Sequence, residues 1–296
     1  MNRTLLIINP ISGQWRVNTA KAQMLERLGS IGPLEVFETT GPGDATAAAR
    51  RAVETGVRRV VVAGGDGTVN EVVNGLAGSD VLMGLVPLGT ANVLARELDI
   101  PLEDVDAACG IIQAGRVTKI DLAKCDGQYF VLMAGIGFDA AVVNNVDPKI
   151  KDIFGPAAYG ISGATELLRH KPSKFSINID GVTYETEGSM VVVANVSSYA
   201  IEIKVARHAI FNDGWLDVCV FEKSETPRIG LLSQALRLVL LGSIPGDPSI
   251  TCFKGKKVSI TCEPPAFVQI DGDVVGKTPT EIEVFPNALR MIVPKL

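Results

Sequence analysis

Three observations predict an α/β amino-terminal half followed by a β-rich carboxy-terminal half. In the first third, short apolar runs alternate with segments of helical spacing. Those runs are largely apolar, the mark of parallel strands covered on both faces. After about Asp121 the helical rhythm gives way to strand patterns separated by Asp-Gly turns.

Taken in order, Thr4–Asn9 is a continuous apolar strand and Val17–Leu28 has helical spacing. Leu34–Thr39 is a second strand, and Asp44 is placed to cap the Ala-rich helix Ala45–Thr55. Arg59–Ala63 is a third strand. It feeds the turn Gly64-Gly65-Asp66-Gly67, after which Thr68 reads as an N-cap with Glu71 as its capping-box partner and Val69–Leu76 as the helix. Val81–Pro87 is a fourth strand, followed by helices over Ala91–Leu98 and Val105–Gln113. The later strands are Tyr129–Ala134, Phe175–Ile179, Met190–Asn195, Leu216–Phe221, Val258–Cys262, Ala266–Ile270 and Thr280–Val284, with hairpin turns at Asp180-Gly181 and Asp271-Gly272. Helical stretches interrupt near Ala157–Leu168 and Arg228–Leu241. The predicted domains are 1–121, α/β and nucleotide-binding, and 122–285, β-rich and substrate-binding. The tail, about 286–296, is a candidate to return to the first domain. The active site is expected in the interdomain cleft.

Composition narrows the class. The chain has 296 residues, 47% hydrophobic and 21% charged, which suits a folded globular protein. A net charge of −5 argues against broad nucleic-acid binding. Five scattered cysteines with no CxxC pair, and two histidines, argue against a zinc site and suit a reducing cytoplasm. Met1–Thr4 leads straight into an apolar strand without the h-region of a secretory leader, and no apolar run reaches membrane-spanning length.

Four loops carry the chemistry. They are Asn9-Pro10-Ile11-Ser12-Gly13, Thr39-Thr40-Gly41-Pro42-Gly43-Asp44, the Gly64–Thr68 turn and Pro87-Leu88-Gly89-Thr90-Ala91-Asn92. Each follows a strand of the expected parallel sheet, where ligands of such sheets sit. Each offers N–H groups, hydroxyls or amides to phosphate or sugar oxygens. A glycine turn feeding a helix start suits an anion, here the phosphate chain of a nucleotide. There is no GxxxxGK[ST] and no GxGxxG at the first strand–helix turn.

Together, in this order, the loops resemble the diacylglycerol kinase catalytic-domain family, in its small soluble bacterial lipid-kinase branch. That branch is related to sphingosine kinases and, distantly, to NAD kinases. The resemblance rests on Asn9-Pro10-x-Ser12-Gly13, Gly64-Gly65-Asp66-Gly67-Thr68, Pro87-Leu88-Gly89-Thr90-x-Asn92 with Ala95-Arg96, and Asp271-Gly272-Asp273, and it spans essentially the whole chain. It implies ATP and Mg2+ as cofactors. It implies nucleotide contacts from Asn9, Ser12, Gly13, Thr39, Gly64, Gly65, Asp66, Gly67, Thr68, Glu71, Gly89, Thr90 and Asn92, with Thr40 as a substitute for Thr39 if the register slips by one. It implies magnesium near Asp66 and Asp121, and a second, structural magnesium at Asp213 with the carbonyls of Ile210 and Trp215. It implies a general base from the Asp271-Gly272-Asp273 turn, with Asp271 favoured over Asp273. One departure is Val93, where the family often has an acid directly after the asparagine of the fourth loop. Magnesium must then lean on Asp66, Asp121 and the phosphates.

A lipid acceptor also needs an apolar cleft and access to a bilayer surface. Phe138, Ile153, Phe154, Ala157, Tyr159 and Ile161 form an apolar stretch, Arg228–Leu241 has an amphipathic pattern, and Lys204, Arg207 and His208 offer a local basic patch. The expectation is an ATP- and magnesium-dependent lipid kinase in the cytoplasm, peripheral at the inner membrane surface, acting on diacylglycerol or a related lipid alcohol. Transient membrane-surface association is expected, nucleic-acid binding is not, and a homodimer stays open. The alternatives are an NAD kinase and a catalytically inactive nucleotide- or lipid-binding regulator.

Overall fold

A computed structural model describes residues 3–145, 166, 171–200, 203–223 and 250–295. The chain divides into two compact units, residues 1–122 with 286–296, and residues 123–285. The helical stretches expected near Ala157–Leu168 and Arg228–Leu241 lie outside the described residues, apart from position 166. So do most of the apolar positions proposed to meet lipid. Among the described residues, no helix is long and apolar enough to cross a membrane.

In the first unit, strands β1 (Thr4–Ile8), β2 (Leu34–Glu38), β3 (Arg59–Gly64) and β4 (Leu82–Pro87) alternate with helices α1 (Gln14–Gly29), α2 (Asp44–Glu54) and α3 (Asp66–Leu76). Helices α4 (Val93–Glu97) and α5 (Val105–Ala114) follow. The strands pair in parallel in the order β4-β3-β1-β2. The apolar runs of β1, β3 and β4 are buried almost throughout, so their side chains leave water on both faces of the sheet. β2 departs from that pattern. It is the edge strand, its sequence carries two glutamates, and Glu35, Val36 and Glu38 are exposed.

β5 (Arg116–Cys125) leads into the second unit, with β6 (Gln128–Phe130), β7 (Met133–Gly137), α6 (Phe138–Asn144), β8 (Ser173–Ile179), β9 (Val182–Ala194), β10 (Ser198–Ala200), β11 (Ile203–Lys204), β12 (Leu216–Glu222), β13 (Ile250–Gly255), β14 (Lys257–Glu263), β15 (Phe267–Ile270) and β16 (Asp273–Lys277). Pairing here is antiparallel. The amino-terminal part of β9 pairs with β8, and its carboxy-terminal part lies between β7 and β12. Both Asp-Gly turns form two-residue hairpins. Ile179 pairs with Val182 and Ile270 with Asp273, with Asp180 and Asp271 at φ 49° and 47°. Positive φ at both central positions matches the right-handed strand twist and favours Asp-Gly. Phe130, Phe175, Ile177, Val191, Val218 and Ile260 belong to the buried core of this unit.

The last strand, β17 (Thr280–Val293), begins antiparallel to β14 and ends parallel to β4, Arg290 opposite Leu82. Cys219 and Cys252, 33 residues apart, face each other across β12 and β13 with Cα atoms 4.2 Å apart and form a disulfide. Sequence spacing could not reveal that pair because strand register alone creates it.

Candidate active site

The four loops of the first unit leave the carboxyl ends of β1, β2, β3 and β4 at one edge of the sheet. Backbone bonds carry the ladder beyond the strands. Asn9 N donates to Ala63 O at 3.0 Å, Thr39 N to Ile8 O at 2.9 Å and Leu88 N to Gly64 O at 2.9 Å. The loops are therefore fixed in register before any side chain acts.

Side chains then tie loop to loop. Asn9 Nδ2 donates to Thr68 Oγ1 at 2.9 Å, and Asn9 Oδ1 accepts from Ile11 N. Asp66 Oδ1 accepts from Val93 N at 2.8 Å, fastening the glycine turn to the start of α4. Burial raises the Asp66 pKa, opposed by N–H groups at Val93, Asn92 and Leu94. Asn92 closes its own loop, accepting from Gly89 N at 3.0 Å and donating to Gly89 O at 2.7 Å. Val93, the departure noted above, has a buried side chain, and the position serves through its N–H.

The glycines are first of all a packing device. A Cβ on Gly89 would lie 2.5 Å from Gly65 Cα and 2.8 Å from Asn92 Oδ1. A Cβ on Gly64 would lie 2.8 Å from Thr68 Cβ, and one on Gly13, at φ 63°, 2.4 Å from Leu88 O. Gly67 is different: nothing lies within 4 Å of its Cβ position. Gly67 is thus the glycine of the turn with open space before it, in the first turn of α3.

Three expectations about this edge change. α3 starts at Asp66 with Gly65 as its N-cap and no side-chain cap, so Thr68 is not the cap; its hydroxyl accepts from Asn9 instead. Glu71 is neither a capping-box partner nor an open nucleotide ligand. Its two oxygens accept from Gly43 N at 2.9 Å and Ala45 N at 3.0 Å, and so cap α2 from a neighbouring helix. Asp44 does not cap α2 in the expected way. It turns back to accept from Thr40 N, Thr40 Oγ1 and Gly41 N, bonds that lower its pKa. Thr40 is thereby engaged, whereas the hydroxyls of Thr39 and Thr90 have no protein hydrogen-bond partner among the described residues. Ser12 Oγ sits beside Gly65, 4.0 Å from where a Cβ would be.

A metal fits these donors unevenly. Asp66 is part exposed, with one oxygen on Val93 N, and suits an oxygen-seeking divalent ion. Asp121 does not match its expected role. It is 1% exposed, and its Oδ1 accepts from Asn287 N at 2.7 Å, holding the returning strand β17. The Asp213 site does not fit either. Asp213 Oδ1 accepts from Trp215 N at 3.0 Å, and Oδ2 accepts from Lys254 Nζ at 2.7 Å. Lys254 Nζ also lies 3.6 Å from Asp217 Oδ2, an ion-pair distance. The Ile210 carbonyl accepts from Asp213 N. An ammonium thus stands where the second ion was expected. Among the described residues, no group of three or more His, Cys, Asp or Glu side chains could hold a metal.

In the second unit the Asp271-Gly272-Asp273 turn joins β15 to β16. The favoured base is Asp271, and the structure assigns it other work. Its Oδ2 accepts from Val131 N at 2.9 Å and its Oδ1 from Leu132 N and Met133 N at 3.0 Å each. Its own N–H donates to Met133 O. A carboxylate holding three backbone N–H groups is a fastener of the segment before β7. Asp273, two residues on, is exposed at the start of β16.

Sequence reading missed one member of this region. Asp139, in the first turn of α6, is buried, and its Oδ2 accepts from Gln269 Nε2 at 2.7 Å. Burial pushes its carboxyl up to about 6, against the lowering effect of the Gln269 bond. The available signal was an acid in an otherwise apolar Gly-Ile-Gly-Phe-Asp-Ala-Ala run.

Residues 3–125 match the model of the diacylglycerol kinase catalytic domain, and residues 133–293 match that of the YegS C-terminal NAD kinase beta sandwich-like domain. A diacylglycerol kinase of Bacillus subtilis (strain 168) is 32% identical over 299 residues, covering 100% of this chain and 97% of the relative. One of Staphylococcus aureus (strain MRSA252) is 31% identical over 295 residues, covering 99% and 92%. The crystal structure of a diacylglycerol kinase from Bacillus anthracis str. Sterne superposes with a TM-score of 0.76 at 26% identity, covering 99% of this chain and 97% of that one. An α/β unit with loops gathered at one sheet edge, followed by an antiparallel β-sandwich unit, defines a kinase-type phosphotransferase. The chain belongs to the diacylglycerol kinase family.

Proposed function

We propose that this chain is an ATP- and Mg2+-dependent lipid kinase that phosphorylates the hydroxyl of diacylglycerol or a related lipid. The observation that carries the reading is the loop edge of the first unit. Four loops, locked by backbone bonds and by Asn9, Asp66 and Asn92, leave one edge of the sheet, where Gly67 has open space before it and the loops carry the hydroxyls of Thr39 and Thr90. Phosphoryl transfer is mainly positioning and charge neutralisation, so a rigid, donor-rich cradle is the equipment it needs. Ser12, Thr39 and Thr90 donate to phosphate or sugar oxygens, and the N–H groups at the start of α3 face the phosphate chain. The Asp66 carboxylate would hold magnesium, which when bound neutralises phosphate charge.

The base is assigned to Asp273, because Asp271 is occupied by three N–H groups. Asp273 accepts the proton of the lipid hydroxyl as its oxygen bonds to the γ-phosphorus and the bond to the ADP oxygen breaks. Association with the membrane surface is transient, and the exposed Ile210 and Trp215, the latter under the Lys256 ammonium, suit an interfacial position. The relatives named diacylglycerol kinase support the acceptor class.

Labelled ATP offered with a total lipid extract, and separately with NAD, tests the reading. Label in a lipid monoester is expected; label only in NADP would overturn it. Asp273→Asn should lower kcat by about 10²-fold or more with ATP binding retained, as loss of a general base does.

A further inference from the structure

A buried relay runs from α6 to the turn that carries Asp273. Asp139 Oδ2 accepts from Gln269 Nε2 at 2.7 Å, and Gln269 Oε1 accepts from Gly272 N at 2.8 Å. Gln269 is 1% exposed, so water does not compete for either end. The amide has one donor end and one acceptor end, and the two neighbours dictate which way it points. An ionised Asp139 only accepts, so it claims Nε2 and leaves Oε1 for Gly272. The reversed amide would set oxygen against carboxylate and N–H against N–H. Room for the relay comes from Gly135 on β7. A Cβ there would fall 1.8 Å from Asp139 Oδ2 and 2.7 Å from Gln269 Nε2.

We propose that Asp139 is a positioning residue. Through Gln269 it holds the Gly272 amide, and with it the aim of Asp273 toward the acceptor hydroxyl. The inference rests on the reading of Asp273 as the base. Asp271 fastens the turn from its other side, on the N–H groups of residues 131–133, so the turn is gripped at two consecutive residues by independent bonds. A structural role at Asp139 alone would be served by an apolar residue at lower cost, since burying a carboxylate is unfavourable.

Among the described residues, the elements that pack most on α6 are β7, β9, β15 and β16. β7 and β15 carry no titratable side chain, and neither does the part of β9 opposite β7. β16 carries Asp273 and Lys277, and Glu166 bonds Asn145 just beyond the end of α6. Burial raises the Asp139 carboxyl toward the assay range and the Gln269 bond opposes it. Protonation releases the demand for a donor, and the amide orientation loosens.

Two measurements test this. The first is the Gly272 amide resonance in selectively labelled protein, titrated from about pH 5 to pH 8 around the reference His range. A transition near 6 is expected in wild type and none in Asp139→Asn, which keeps an acceptor oxygen but does not ionise. The second is the kcat profile with lipid acceptor. Asp139→Asn, a neutral mimic of the protonated acid, should hold kcat at the wild-type acid-limb level at every pH and so lack the limb near 6, with the KM for ATP unchanged. Gln269→Leu should lower kcat at every pH by about tenfold or more. A Gly272 resonance that titrates equally in Asp139→Asn, or an acid limb that survives it, overturns the relay. The role of Asp273 is judged separately. If Asp273→Asn keeps wild-type kcat, the base assignment fails, while the Gly272 titration still decides whether the relay exists.

Discussion

Replacing Gly89 by alanine tests the packing of the loop edge directly. The added Cβ would stand 2.5 Å from Gly65 Cα, where ordinary contact begins at 3.4 Å, and 2.8 Å from Asn92 Oδ1. The first neighbour is backbone and cannot rotate away. The third and fourth loops must therefore part by about 0.9 Å, or the Asn92 closure of its own loop must break. Overpacking of this kind costs about 1–3 kcal/mol. A displacement near 1 Å in a positioned group costs about 10²-fold in rate. Gly89→Ala is thus expected to lose about 1–3 kcal/mol in urea unfolding and about 10²-fold in kcat/KM for ATP. The counterpart is Gly67→Ala. Space is open there and the residue is helical, so the fold should gain up to about 1 kcal/mol from helix propensity. ATP affinity should nevertheless fall, because the methyl group occupies ground left for the nucleotide. Gly89→Ala with wild-type stability and ATP affinity would refute the described loop contact. Gly67→Ala with unchanged ATP affinity would refute the assignment of that open space.

Three further outcomes are expected. Glu71→Ala should cost about 1–2 kcal/mol of stability, because the N–H groups of Gly43 and Ala45 lose their acceptor, with a smaller effect on ATP affinity when folded enzyme is compared by calorimetry. The Asp139 carboxyl is raised when folded, so its protonated form contributes stability that is full below about 3.8 and lost as pH rises through about 6. Asp139→Asn should therefore match wild type in chemical unfolding near pH 4 and exceed it by about 2–3 kcal/mol at pH 7. Lys254→Met should lower the Tm and make it rise on adding Mg2+ without nucleotide, since Asp213 and Asp217 lose their shared cation, whereas Mg2+ should not raise the wild-type Tm through Asp213.

Element order in the first unit was legible because β1, β3 and β4 are buried on both faces. Side chains such as Val60, Val61 and Val62 must all be apolar there, and no helix period competes. The Asp-Gly hairpins were legible because positive φ at two consecutive residues restricts the residue types that fit. The site was legible as a set of positions but not as a set of roles. Asn9, Glu71, Asp121 and Asp271 are polar residues of the kind ligands need, and each bonds the protein's own backbone or a neighbouring loop. Composition does not separate a polar group aimed at a ligand from one aimed at the protein's own N–H or hydroxyl groups.

The sequence by itself determined the two-part architecture, the loop edge of the first unit and the acids of the late turn. These follow from periodicity and turn chemistry, which are local. Tertiary structure alone decided that Lys254 stands at Asp213, that Cys219 meets Cys252 and that Gln269 links Asp139 to Gly272. Each of those pairs is made by strand register or by packing of distant segments, and the partners lie between 3 and 130 residues apart. The same holds for Asp66, whose carboxylate belongs to the glycine turn in sequence and to the start of α4 in space.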